Sequence, residues 1–423
     1  MSTYDPSERS RVLDAYFESQ VPPEAQPATA IHGDDFMFRF FLAERRGRRE
    51  SALVDYFHSG WTLAQTVRDL LGWARPGWTA GRILDFAAGF GRGTRYLARL
   101  AGDPARVWMS DLFPAMVEFQ TTTFGVHGFA STALPEDLEA PAPFDAIVVS
   151  SLFSHLPADT FERWLGRLGD LLAAGGVLVF SVHGEEVRPA GSRLPASGIL
   201  FEAQSEIPEI GAAQYGTSWV SEEYVGRAIA NALPSGFGYR RFQRALWAYQ
   251  DAYLVGAVLP EGEPPTVGHP VGFPDLPTDL ASPEALELSG WAADLAGREI
   301  EVRLAVEGEV LARVSPGLPR SGVVEFLRDD RFDRTGFGLR AERPGRPFDP
   351  GERVLLEAAV PGGTTHVLAC DTIEGLLAQG RQLQQQTGAR SGALQGGPRW
   401  RRAWPRRLAR RLAAWRASGP SVE

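Results

Sequence analysis

Apolar and polar positions follow three rhythms along the chain. Up to residue 78 the apolar positions recur at helical spacing, in aromatic-rich stretches such as DDFMFRFF and ALVDYFHSGWTLAQTVRDLLGW. They predict a helical N-terminal region, read as a lid. Over 79–260, short apolar runs alternate with helical patterns, as buried parallel strands joined by helices do. Ile83-Leu84 ends in Asp85, a turn carries Gly89, Gly91 and Gly93, and Tyr96, Leu97 and Leu100 follow as a helix. RVWMSD (106–111) reads as a second strand ending in Asp111, and PFDAIVVSSLFSHLP (143–157) as a strand running into a loop with Ser150, Ser151 and His155. Phe161, Trp164, Leu165, Leu168, Leu171 and Leu172 give the next helix, AAGGVLVFSVHG (173–184) another strand, and 237–259 a closing antiparallel pair. The proline-rich segment 261–283 reads as a stiff linker. Over 284–372 the period drops to two: EVRLAV and EVLARV flank Glu307-Gly308, and ERVLLEAAV and THVLAC flank Pro361-Gly362-Gly363, predicting an all-β sandwich. The remaining segment, 373–423, ends in an amphipathic pattern, with Trp400, Trp404, Leu408, Leu412 and Trp415 on one side and arginines elsewhere.

Composition changes this picture at few points. The 423 residues suffice for two or three domains, and the single Cys370 rules out an internal disulfide or a cysteine-built zinc site. Every basic residue besides histidine is arginine, a trait of a GC-rich bacterial genome rather than of function. The net charge of −9 is unevenly spread: from Leu376 onward ten arginines face one acid, so the body is strongly acidic. An acidic body argues against a nucleic-acid substrate. The Trp/Leu/Arg pattern of 399–415 fits a helix lying in an anionic membrane surface, with a helix docked on the acidic body or a disordered basic tail as the alternatives. No stretch reads as a signal peptide or a membrane span, which predicts a cytoplasmic protein, peripheral on the inner membrane face if the tail binds lipid.

The glycine turn carries the chemistry. A strand, a turn short of side chains and a helix N-terminus form a ligand cradle, although ordinary α/β proteins also contain such units. The dinucleotide fingerprint fails at its third glycine, which is Thr94, and Asp85 puts a negative charge where a pyrophosphate would lie. That charge suits a cationic ligand. The spacing from Asp85 through Gly89 to Gly91 resembles the first motif of class I S-adenosylmethionine-dependent methyltransferases, with Ala87 where a glycine is common. The order of elements from Ile83 to Gly184 resembles the same family throughout. The resemblance implies a Rossmann-like seven-stranded α/β sheet and S-adenosylmethionine bound by Asp85, Ala87, Gly89 and Gly91. It also implies Asp111 on the ribose, Leu112 and Phe113 beside the ribose or adenine, and Ser150 and Ser151 in the loop after the fourth strand. An acid at Asp111 would suit NAD as well. For the adenine amine the chain offers Ser131 and Thr132, with Leu134 nearby.

Transfer to a hydroxyl needs a positioned base, and His155 and His183 follow the fourth and fifth strands. His155 also reads as a structural capping residue, and His183 as base or structural residue equally. Tyr56, with Ser59 and Gly60, reads either as a cover over the methionine end of the cofactor or as a lid helix without contact. Tyr215 and Thr217 lie in an insertion that forms the acceptor pocket in the family. Neither an N-P-P-Y motif nor a double-glutamate loop is present, leaving a sugar, glycan or small-molecule hydroxyl as the leading acceptor class. The second domain is similar to sandwich modules of bacterial glycan-assembly transferases, through Gly290-Trp291-Ala292 and Gly336-Phe337, and Trp291 reads as a core residue. No metal cluster stands out, with Asp34 and Asp35 the sole acidic pair of interest. The competing readings are a non-catalytic protein of this fold, acting as a glycan- or membrane-associated module, and an NAD-dependent enzyme.

Overall fold

The structure is a computed structural model that describes residues 10–77, 81–141, 143–189, 191–203 and 211–388. The amphipathic segment 399–415 lies outside the described residues. Among the described residues, no helix is long and apolar enough to cross a membrane.

Three helices begin the chain: α1 (Arg11–Gln20), α2 (Phe36–Glu44) and α3 (Arg49–Ala74). Ser10 caps α1 by accepting from the Val12 and Leu13 amides, and Asp35 caps α2 by accepting from those of Met37 and Phe38. The helical N-terminal region follows the sequence expectation, but α3 is not a lid. Its Val54, Phe57, Trp61 and Val67 share one core with Tyr16 and Phe17 of α1, with Val177, Val179 and Leu254 of the sheet below, and with Val367 and Cys370 of the C-terminal part. A helix buried between two sheets loses the polar face that a lid would keep.

The sheet follows as β1 (Ile83–Phe86), α4 (Thr94–Leu100), β2 (Val107–Asp111), α5 (Pro114–Phe124), β3 (His127–Ala130), β4 (Phe144–Val149), α6 (Ala158–Asp170) and β5 (Leu172–Gly184). Then come β6 (Ile199–Glu202), β7 (Thr217–Val220), α7 (Glu222–Ala232), β8 (Gly238–Leu246) and β9 (Gln250–Gly256). Strands β3-β2-β1-β4-β5 are parallel, β9 lies antiparallel to β5, and β8 lies antiparallel outside it. Those seven are the expected strands. Two more join them because β5 runs for 13 residues: Val177–Val182 pair with β9, and His183 and Gly184 pair onward with Trp219 and Val220 of β7, which carries β6 as a hairpin. Leucine and aromatic side chains of α6 and α7 cover one face of the sheet, and α3 covers the other.

The C-terminal part comprises β10 (Val271–Asp275), β11 (Ala285–Ala293), β12 (Glu301–Val306), β13 (Glu309–Val314), α8 (Ser321–Leu327), β14 (Gly336–Glu342), β15 (Arg353–Ala359), β16 (Thr365–Thr372) and α9 (Ile373–Gly388). Two antiparallel sheets, β10-β11-β14 and β13-β12-β15-β16, share a core that includes Leu286, Leu288, Val302, Leu304, Leu339 and Leu356. The segment read as a linker contains β10, where Pro274 is tolerated because β10 is an edge strand. Its His269 lies between the Thr62 and Thr365 carbonyls, 3.2 Å from each, and donates to one of them, so the segment is docked. The two parts are further tied by Asp371, which is buried and accepts from Arg48 at 3.1 and 3.2 Å and from Ser51 Oγ at 2.6 Å.

Candidate active site

The turn after β1 is held in left-handed backbone at Ala87 (φ 57), Gly89 (φ 60) and Gly91 (φ 80). Glycine adopts this region freely, whereas an alanine there carries steric strain. A side chain on Gly91 would also collide with Gln120 and Phe124 of α5. The turn is braced from three directions. The Gly89 amide donates to Asp111 Oδ2 at 2.8 Å, Gln120 Nε2 donates to the Gly89 carbonyl at 2.8 Å, and buried Arg95 donates to the Gly91 carbonyl at 3.1 Å. From behind, Gly60 of α3 approaches so closely that a Cβ there would overlap the Arg92 carbonyl.

In front of the turn lies a cavity of about 600 Å³, and an adjoining one of about 140 Å³ shares Phe36, Ala87, Gly89, Leu152 and Tyr215 with it. The smaller lobe is lined by Asp111, Leu112 and Phe113 after β2, and by Ser131, Thr132 and Leu134 after β3. The larger lobe collects Asp85, Ser150, Ser151, His155, His183, Tyr215 and Thr217. Sequence-expected residues from six separate stretches thus meet at one place. Tyr56 does not line either lobe: it is buried beneath the larger one, donates to Asp35 Oδ2 at 2.6 Å and accepts from Arg95 at 3.1 Å. It supports the wall through Asp35, which does reach the cavity. Asp34 and Asp35 diverge, Asp34 turning to Arg39 at 2.8 Å. Among the described residues, no group of three or more His, Cys, Asp and Glu is placed to hold a metal.

The electrostatics of the larger lobe are those of a zwitterion's receptor. Burial raises the Asp85 carboxyl to about 6, against the opposing effects of the Thr94 hydroxyl, which donates to it at 2.6 Å, and the nearby Arg92 charge. Burial likewise raises Asp111, against its backbone amide donors. Arg92 sits beside Asp85 with its guanidinium over the Trp247 ring at 5.2 Å, and its Nη1 is buried with no hydrogen-bond partner among the described residues. A buried acid without a full counter-charge and a buried cation without an acceptor are both costly alone. A ligand carrying an ammonium and a carboxylate satisfies both.

The two histidines differ in what they can do. His155 Nδ1 lies 2.6 Å from the Gly216 carbonyl, and a carbonyl only accepts, so Nδ1 carries the proton and Nε2 holds the lone pair. The ring stacks on Tyr215 at 4.8 Å. His183 Nε2 faces the Gln250 amide nitrogen at 3.3 Å. Gln250 Oε1 accepts from Ser181 at 2.5 Å and Ser151 at 3.2 Å, which leaves its amide nitrogen to donate to His183. Burial first, and the neighbouring His155 second, push the His183 imidazole down to about 3. His183 is therefore neutral, with its lone pair already engaged.

Several lining residues were not expected from the sequence. Arg92 sits inside the glycine turn itself, so its position was legible although its role was not. Phe36, Met37 and Phe40 of α2 and Trp247, Ala248 and Tyr249 of the β8–β9 turn carry no motif. Glu325, Phe326, Leu327 and Arg328 come from α8 and its end, so the C-terminal part contributes directly to the cavity wall. Trp291 is buried beneath α8, 6.1 Å from the Phe326 ring, where it acts as a core residue.

Residues 84–178 match the family described as a methyltransferase domain. No curated protein matches the chain. Among solved structures, the S-adenosylmethionine-bound amino pentose methyltransferase CalS10 of Micromonospora echinaspora is 20% identical, covering 54% of this chain and 100% of that one at a TM-score of 0.35. DesVI of Streptomyces venezuelae is 14% identical, covering 53% and 99% at 0.36, and the CcbJ methyltransferase of Streptomyces caelestis is 15% identical, covering 48% and 90% at 0.35. Scores this low say nothing about the acceptor. The segment from β1 into β5 is a methyltransferase domain, and S-adenosylmethionine is its cofactor.

Proposed function

We propose that this S-adenosylmethionine-dependent methyltransferase acts on a hydroxyl group of a sugar or other small molecule, with His155 as the base. The observation that carries this reading is the pairing of an imidazole lone pair, at His155 Nε2, with the zwitterion-matched groups Asp85 and Arg92 in one cavity. When bound, the cofactor supplies a methyl group on a cationic sulfonium, an electrophile that a hydroxyl attacks in line once its proton can leave. Asp85 takes the cofactor's ammonium and Arg92 its carboxylate. Asp111 accepts from the ribose hydroxyls, and Leu112, Phe113, Ser131 and Leu134 enclose the adenine side. Ser150 and Ser151 shape the floor: Ser151, at φ 66, donates its backbone N–H to Ser181 Oγ at 2.8 Å and its hydroxyl to Gln250 Oε1 at 3.2 Å.

His155 receives the acceptor's proton at Nε2 while the Gly216 carbonyl keeps its ring oriented. His183, neutral and bonded to Gln250, lies 6.2 Å from the His155 ring and places no second cation beside it. Tyr215 and Thr217 border the acceptor. The sequence resemblance of Gly290-Trp291-Ala292 and Gly336-Phe337 to glycan-assembly modules, and the Trp/Leu/Arg pattern of 399–415, support a sugar-containing acceptor handled at the inner membrane face. The acid at Asp85 speaks against NAD, whose pyrophosphate it would repel.

Two measurements test the reading. Calorimetry should show S-adenosylhomocysteine binding and no NAD binding; failure of the first sinks the methyltransferase assignment. In a release assay over a panel of hydroxylated acceptors, His155→Ala should lose roughly a hundredfold in turnover with cofactor binding kept. Full turnover in that variant would remove His155 as base.

A further inference from the structure

On the acceptor side of the cavity, three arginines from three separate segments come together. Arg188 follows β5, Arg244 lies in β8, and Arg328 ends α8 of the C-terminal part. Hydrogen bonds lace them to one another's segments: Arg244 Nη2 donates to the Leu327 carbonyl and Arg328 Nη2 to the Arg188 carbonyl, each at 2.8 Å. A register break in β8 between Phe242 and Leu246 turns Arg244 inward. Both Arg244 (φ 52) and Arg328 (φ 54) are held in left-handed backbone, as are Ala248 and Tyr249 on the same wall. Such strain in non-glycine residues persists where the surroundings enforce it, and it concentrates at ligand sites.

Glu186, Asp251 and Asp329 act on Arg244, and Glu186 on Arg328, yet burial outweighs them and holds both guanidiniums below their ordinary value. Arg244 Nε is buried and has no hydrogen-bond partner among the described residues. Burial pushes the Arg328 guanidinium down, and the charges of Arg188 and Arg244 push it further. The surrounding carboxylates have their own partners: Glu186 and Asp251 pair with Arg241, and Asp329 is held by Arg331. Glu325 also borders the cavity, on the exposed side of α8. Phe326, Tyr249 and Trp247 stand beside the arginines and give the body of an acceptor an apolar wall.

We infer that the acceptor carries a phosphoryl group, which Arg188, Arg244 and Arg328 bind, so that the C-terminal part completes the acceptor site. Arg188 Nε and Nη1, Arg244 Nη2 and Arg328 Nη2 already donate to backbone carbonyls, and the remaining N–H groups of the three guanidiniums suit the several oxygens of a phosphoryl group, whereas a carboxylate is saturated by one or two. This inference rests on the methyltransferase reading above, because it assigns the second substrate of the same cavity. A simple sugar phosphate offers three terminal oxygens on one phosphorus and a nucleoside-linked diphosphate four non-bridging oxygens over two, and both are anionic phosphoryl oxygens that guanidiniums bind.

The full chain, loaded with S-adenosylhomocysteine, should be titrated calorimetrically with pyrophosphate, uridine diphosphate and glucose 1-phosphate. Binding of at least one is expected, weakened tenfold or more in Arg244→Gln/Arg328→Gln and in the milder Arg188→Gln. The tighter of the last two probes then tells a nucleotide source from a sugar-phosphate source. If none binds, or if binding survives all three substitutions, the phosphoryl site is refuted. S-adenosylhomocysteine binding in each variant reports that the protein is folded. Its absence in the wild-type chain would instead overturn the underlying methyltransferase reading.

Discussion

Removing the Arg92 guanidinium should weaken only those ligands that carry a carboxylate. Arg92 lines the cavity beside Asp85, so a ligand carboxylate bound there meets its guanidinium. Hydrogen bonds to charged groups contribute about 1.5–3 kcal/mol, which corresponds to a loss of roughly 10- to 150-fold in affinity. S-adenosylhomocysteine should therefore bind Arg92→Leu that much more weakly. Methylthioadenosine, which shares the adenosine and thioether but lacks the amino-acid end, should bind wild type and variant alike. The free protein should hardly change in stability. Relief from burying an unsatisfied cation opposes loss of the contact with Trp247, 5.2 Å away and worth about 0.5–2 kcal/mol. Paired calorimetric titrations and a thermal melt suffice. Equal losses for the two ligands would refute the reasoning, because they would mean the variant had deformed the turn.

Four further outcomes are expected. Gly60→Ala should cost about 1–3 kcal/mol in a denaturant melt and also weaken S-adenosylhomocysteine, because the new Cβ overlaps the Arg92 carbonyl; unchanged binding would show that α3 does not set the turn. Ala87→Val should be destabilising by about 2 kcal/mol while Ala87→Gly is near neutral, since φ 57 suits glycine and strains a β-branched residue. Where α3 meets the C-terminal part, His58, His269 (about 4) and His366 (about 3) are held below the ordinary imidazole range, chiefly by burial. The unfolded chain then binds protons that the folded chain refuses, so stability is present above about pH 6.5 and falls as pH drops toward 4. Asp85, raised to about 6, and Asp35, Asp111 and Asp251, also raised by burial, oppose this slope at the acid end, so the histidine share is read from the difference between wild type and His366→Gln; identical profiles would contradict the assignment. Deleting 399–423 should abolish cosedimentation with phosphatidylglycerol vesicles, and retained cosedimentation would remove the membrane reading of that segment.

Much of the cofactor side was legible because it is encoded locally. The spacing of Asp85, Gly89 and Gly91 specifies a turn whose backbone few other residues can adopt, and Asp111 ends the neighbouring strand, 2.8 Å from the Gly89 amide. Apolar runs and helical spacing ordered the elements of the sheet, and period-two runs announced the C-terminal strands. These signals act within a strand, a turn or a helix, so a linear chain displays them.

The acceptor side was decided by packing between distant segments. Nothing near Tyr56 shows that its hydroxyl is used by Asp35, and nothing in α3 shows that a second sheet covers its outer face. The choice between His155 and His183 turned on which ring nitrogen meets a carbonyl and which meets Gln250, a residue 67 positions away from His183. Arg188, Arg244 and Arg328 are unremarkable in a chain whose basic side chains are nearly all arginine; only the docking of α8 over the β8–β9 turn brings them together. The sequence by itself determined a nucleotide-type cradle with an acid for a cationic ligand. The tertiary structure alone decided which polar atoms are left buried without partners, and that follows from desolvation and contact between segments that the chain order keeps apart.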